Sequence, residues 1–249
     1  MLHETNAEPL IRLSSVIGQA LVILQHAVPD TAALAGSLGQ LHREAEALGL
    51  KPVVRQLERI KAHFISGEAN AQSLRAMIAD LYQRLLEAME ERTLLLLSDE
   101  TARLYTSREP AFGAAVQSAF PSAGEDIAEA AKCLALERHT ATVFHLMRVL
   151  ERGLRAQARE TQATPGNPNW ETVLNAITTK VNQMGPADGP DWKDARHFHA
   201  EAVAEFRIFQ HAWRNYVMHA DETYDADRAR KIYGGVEAFM RHLAQRVTE

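Results

Sequence analysis

The stretch EFRIFQHAWRNYVMHAD, residues 205–221, decides how the chain is read. Phe206, Phe209 and Trp213 continue the helical spacing of Phe198 and Ala202, so a long helix runs into Arg214 and Asn215, with His219 following the arginine by five positions. A permanently charged guanidinium, an amide and an imidazole that titrates near neutral pH are the side chains needed to hold a phosphate and move a proton. Of the 27 Lys and Arg six are lysine, leaving 21 arginines beside 11 histidines in 249 residues. An Arg five positions before a His is therefore expected roughly once by chance, and the asparagine directly after it lowers that expectation to about 0.03. Arg214, Asn215 and His219 are the candidate catalytic residues. On a continuous helix five residues turn through about 500°, leaving Arg214 and His219 roughly 140° apart. Either the helix breaks near Asn215 or the site combines copies from two subunits.

Composition narrows the context. Richness in Ala, Leu, Glu and Arg, with 46% apolar and 6% aromatic residues, favours helix nearly throughout and an all-α protein. The formal net charge of −5 argues against a broadly basic nucleic-acid coat, so any RNA or DNA contact is local. The single cysteine, Cys133, excludes an intramolecular disulfide and a Cys-based zinc site, and its apolar helical surroundings read as packing. His197 and His199 stand two apart on a helix and diverge, so no metal or other cofactor is expected. Trp170, Trp192 and Trp213 read as core or interface anchors. The N-terminus lacks the pattern of a secretion signal and no stretch has the length of a membrane span, which reads as a cytoplasmic protein.

Four apolar stripes divide the first half into helices over residues 9–26, 31–48, 52–66 and 69–92, with Gly49 as a left-handed stop and Leu74, Ile78, Leu81, Leu85 and Met89 on one face of the fourth. Their short links describe an antiparallel bundle. Residues 93–98, TLLLLS, read either as a short extended segment or as the buried end of the fourth helix. Pro110, Gly113 and Pro121 mark a connection with one short helix, placing a domain boundary near residue 120: an N-terminal domain of unknown role, 1–120, and a C-terminal one, 121–249.

The second half opens on Ser122 and Glu125, the two ends of a capping box. The helix from His139 turns Val143, Leu146, Leu150 and Leu154 to the core, and carries His145, Arg148, Arg152, Arg155 and Arg159 on its other side with Glu151 beside them. On its own this stripe reads as a solvated face. Asn169 starts the next helix, and the last one, from Tyr224, buries Ile232, Val236, Phe239, Met240 and Leu243. Gly234 and Gly235 cost this last helix roughly 2 kcal/mol of propensity, so a neighbouring helix is expected to approach closely there.

A C-terminal helical bundle with Arg-Asn-x-x-x-His at the end of a long helix resembles the HEPN superfamily. The resemblance rests on residues 212–219, AWRNYVMH, and on residues 120–158, FPSAGEDIAEAAKCLALERHTATVFHLMRVLERGLRAQA, which are similar to the first helical hairpin of bacterial members. It implies a metal-independent endoribonuclease of the toxin, phage-defence or stress-effector kind. Such an enzyme cleaves RNA by 2′-hydroxyl attack at the cleft of a homodimer, with a neutralising antitoxin or a nucleotidyltransferase as partner and no membrane. Arg214 and His219 map onto the catalytic pair and Asn215 onto the polar residue beside it. His145, Arg148, Glu151 and Arg152 fall on the helix that supplies supporting polar groups. The same resemblance also covers non-catalytic members that bind nucleotide or RNA or serve as protein-interaction scaffolds.

Overall fold

The computed structural model describes residues 8–26, 31–92, 97–106, 109–167, 169–214 and 223–249, without the side chains of 9, 21–26, 31–35, 213 and 214. Among the described residues the protein is all-α, with 11 helices and no strand. No helix among them is long and apolar enough to cross a membrane. The chain forms two compact units, Met1–Leu95 and Leu96–Glu249.

In the first unit, α1 (Glu8–His26), α2 (Thr31–Ala47), α3 (Lys51–Ile65) and α4 (Ala71–Glu90) each pack on two neighbours: α1 on α2 and α4, α3 on α2 and α4. The apolar stripes explain this, since Leu13, Ile17, Leu41, Val53, Leu57, Ile60, Leu74, Ile78, Leu81 and Leu85 all turn inward, with Met89 partly buried against them. Gly49 does end α2 in the left-handed region (φ 65°), where the amides of Gly49 and Leu50 return to the carbonyls of Glu46 and Ala45 at 2.9 and 2.8 Å. Asn70 caps α4: its Oδ1 accepts from the Ser73 amide at 2.9 Å while its own amide donates to the Ser73 hydroxyl at 3.0 Å. Arg92 then reaches back to the carbonyls of Leu48 and Gly49 at 2.8 and 3.1 Å. Residues 93–96 of the TLLLLS segment lie outside the described residues.

The second unit holds α5 (Asp99–Thr106), α6 (Ala114–Ala119), a 3-10 turn (Pro121–Ala123), α7 (Gly124–Ala135), α8 (His139–Glu160), α9 (Trp170–Gln183), α10 (Trp192–Phe209) and α11 (Ala226–Leu243). Helix α8 packs against α7, α9, α10 and α11. Val143, Leu146, Leu150 and Leu154 are buried there as their spacing requires, as are Phe198, Ala202, Phe206 and Phe209 of α10 and Ile232, Val236, Phe239, Met240 and Leu243 of α11. The link expected to hold one short helix holds two. Both lie in the second unit, on the C-terminal side of the division: Phe112, Val116 and Ala119 share a core with Phe120 and Ile127, so apolar burial rather than Pro and Gly content sets the division.

Two local expectations are corrected. Ser122 and Glu125 do not form a capping box. The 3-10 turn places Ser122 before the Ala123 cap position, which has no side-chain cap bond, and Glu249 takes the serine instead, accepting from its amide at 2.9 Å and from its hydroxyl. The close helix approach is not at Gly234 and Gly235. A Cβ on Gly234 meets nothing within 4 Å, and one on Gly235 touches Phe209 at an ordinary 3.9 Å. The approach lies on the opposite helix, where a Cβ on Gly153 would sit 2.9 Å from Leu243 Cδ2 and 3.1 Å from Met240 Sδ. Substitution separates the two positions. Gly234→Ala should raise stability by about 1 kcal/mol through helix propensity, whereas Gly153→Ala should lower it by about 1–3 kcal/mol through overpacking. Urea denaturation followed by circular dichroism reads both.

Candidate functional site

Contacts along α8, α10 and α11 fix their directions. Late in α8, Gln157 Nε2 donates to the carbonyl of His199, early in α10, at 3.1 Å. Phe198 stacks near His242 at 4.7 Å between centroids, while Phe206 and Phe209 meet Phe239 at 4.7 and 5.4 Å. Helix α10 therefore runs antiparallel to both α8 and α11, and its C-terminal end lies at the end of the unit where α8 and α11 begin. There the regular helix stops at Phe209 and gives way to a π-helical turn, Gln210–Arg214. Such turns widen the helix by one residue and occur often at functional sites. The angular argument from a continuous α-helix thus does not extend through Arg214. The backbone of Arg214 closes this turn, and Asn215 and His219 lie outside the described residues. The chain resumes at Thr223, and the Tyr224 amide donates to Thr140 Oγ1 at 3.3 Å, tying the return to the first turn of α8.

The N-terminal half of α8 brings His145 and Arg148, two of the expected supporting residues, to Asp126, which nothing in the sequence marked. Asp126, in the first turn of α7, accepts on Oδ1 from Arg148 Nε at 2.7 Å and pairs through the same oxygen with His145 Nδ1 at 2.9 Å. The α7–α8 turn sets this register. Glu137 takes the left-handed conformation (φ 56°), and the amides of Glu137 and Arg138 bond the carbonyls of Leu134 and Cys133 at 3.2 and 2.8 Å. Asp126 and Arg148 lie equally far along the chain from Glu137, so an antiparallel hairpin brings them level. The Asp126 side chain is 8% exposed, against 26% for His145 and 52% for Arg148, so the acid lies inside and its partners lie further out. Burial alone pushes the Asp126 carboxyl up, but the hydrogen bonds from Arg148 and His145, with their charges, outweigh it and hold the group below its ordinary value.

The other expected supporting residues go elsewhere. Glu151 pairs with Arg155 at 2.5 Å, one turn along the same helix. Arg152 is half-buried and joins neither pair. His199 is buried, and desolvation lowers its pKa; His197 and His211 are exposed. Among the described residues no three His, Cys, Asp or Glu side chains converge as a metal site. Cys133 is a half-buried free thiol, pushed up first by burial and then by Glu129. A cleft of about 260 Å³ between α5 and α7, lined by Tyr105, Gln117, Ile127 and Lys132 among others, does not include the Asp126 cluster.

No protein-family model, curated protein or solved structure matches the chain.

The lowered Asp126 value makes the cluster a source of stability with a defined pH window. Because the folded carboxyl titrates below its ordinary 3.8, its contribution is complete above that pH and is lost as pH falls through the folded value. Asp126→Asn should therefore lower stability by about 1–2 kcal/mol at neutral pH, with the two proteins converging below that value. Urea titrations at a series of pH values measure the gap.

Proposed function

We propose that the second unit is a HEPN-type helical domain that cleaves RNA without a metal, and that the first unit is an antiparallel four-helix bundle attached to it. What supports this reading is the sequence motif Arg214-Asn215-x-x-x-His219 together with the place where its first residue stands. It begins at the π-helical turn ending α10, and the chain after it returns to Thr140, at the end of the unit where α8 carries His145 and Arg148. His219 takes the proton from a ribose 2′-hydroxyl, whose oxygen then bonds to the adjacent phosphorus as the bond to the 5′-oxygen breaks. Arg214 meets the charge that develops on the phosphate, and Asn215 orients it. A homodimer supplies the second copy of the motif, whose imidazolium gives a proton to the leaving 5′-oxygen. RNA is the substrate, and a neutralising antitoxin or nucleotidyltransferase is the protein partner.

A labelled-RNA digest in EDTA tests this directly. The wild-type chain should cleave in the chelator, and Arg214→Ala and His219→Ala should each lose roughly 10²- to 10⁴-fold in rate while staying folded and dimeric. Arg214→Lys should not rescue, because lysine lacks the planar fork. Circular dichroism and light scattering accompany each variant. Wild-type cleavage by folded His219→Ala overturns the assignment, and RNA binding without cleavage by the wild-type chain moves the domain to the non-catalytic class.

A further inference from the structure

The hydrogen bonds at Asp126 leave a specific set of donors over. Arg148 contributes Nε alone, and His145 contributes Nδ1 alone. Among the described residues neither the two Nη groups of Arg148 nor Nε2 of His145 is engaged. A guanidinium can hold a carboxylate through two parallel bonds. Here the carboxylate is buried and takes one bond from Arg148 and one from His145, which fixes the guanidinium while its remaining donors face solvent. Phosphate oxygens are the natural acceptors for a guanidinium edge, because its donors are planar and paired. Arg152, one helical turn further along α8, adds a second guanidinium that joins neither neighbouring pair. The overall charge of −5 makes such a local concentration of cations a directed feature of the surface.

We propose that Asp126, His145 and Arg148 form a phosphodiester-binding subsite for an RNA strand. The Arg148 Nη groups contact the backbone, and Asp126, which His145 also bonds, is the positioning residue that holds them. This rests on the RNA reading above: the π-helical turn that ends α10 lies at the end of the unit where α8 carries His145 and Arg148. The subsite is a binding element, separate from the bond-breaking pair.

Fluorescence anisotropy of the full chain with a fluorescein-labelled single-stranded RNA, methylated at every 2′-hydroxyl, measures binding with cleavage blocked. Arg148→Ala should weaken binding about tenfold and flatten the dependence of log Kd on log salt by about 0.7, the share of one phosphate contact on a single strand. Arg148→Lys should recover the salt slope but not the full affinity, since the charge returns without the fork. Asp126→Asn decides the positioning role by sign. Removing a negative charge beside an anion strengthens binding if net charge alone matters, whereas loss of positioning weakens it several-fold. Unchanged affinity and slope in folded Arg148→Ala, or no binding by the wild-type chain, overturns the subsite. Tighter binding by folded Asp126→Asn overturns the positioning role, and if that variant fails to fold the two Arg148 variants decide. The digest above separates the two readings. Wild-type cleavage with unaltered binding in these variants removes the subsite and leaves the ribonuclease, while weakened binding in a chain that never cleaves leaves the subsite and removes the ribonuclease.

Discussion

The second unit depends on the enclosure of α8. Neighbours α7, α9, α10 and α11 all pack on this one helix, and Gly153 lets α11 come so near that a single added carbon would meet Leu243 and Met240. A helix surrounded in this way keeps a narrow strip in water, and every charged residue it carries is forced onto that strip. The arginines of α8 stand in line for this reason before any function is considered. What lifts part of the line above a solvated face is Asp126, since a buried acid requires partners and finds them in His145 and Arg148.

Helix direction then brings the strip and the motif to the same end. Because α10 is antiparallel to α8, the residues following Phe209 leave the bundle where α8 begins, and the Tyr224 amide returns to Thr140. Had α10 been parallel to α8, the motif would leave at the Thr161 end, far from His145. The topology, rather than any local propensity, therefore sets the end of α10 at the end of the unit where α8 begins. The π-helical turn belongs to the same logic, because a widened turn departs from the fixed angle by which a regular helix would carry its last residues round.

Periodicity made the helices and their buried faces legible, because an apolar stripe has one low-energy disposition and that disposition is local. Leu74, Ile78, Leu81 and Leu85 show it in α4, and Val143, Leu146, Leu150 and Leu154 in α8. Features settled between distant residues were not legible in the same way. Ser122 has the spacing of a capping box, yet its hydroxyl goes to Glu249, more than a hundred residues away. Glycine pairs say that a helix is thin at a point but not which face is thin, so Gly234 reads as a contact and opens to space while Gly153, unpaired in sequence, takes the close approach. A chain break placed by Pro and Gly marks where structure pauses, and the core containing Phe112 and Val116 ignores that pause. The candidate motif was legible as a pattern of residue types, and its immediate surroundings were not.

Asp126 illustrates what could have been found and what could not. Once α7 and α8 are taken as a hairpin turning at Glu137, positions equally far from the turn face each other, and counting outward pairs Asp126 with Arg148. That step needs the turn to be located to the residue, and a left-handed glutamate gives no compositional signal, unlike the glycine at position 49. Even with the pairing in hand, the sequence does not say which partner is buried. A pair with its arginine buried and its acid exposed would present a negative edge to solvent and repel a phosphate. The order observed, acid at 8% exposure beneath a guanidinium at 52%, turns the same two charges into an outward-facing cation held in place. The sign of the surface at this point is thus set by the depth at which α7 begins, a property of packing that the charges alone do not determine.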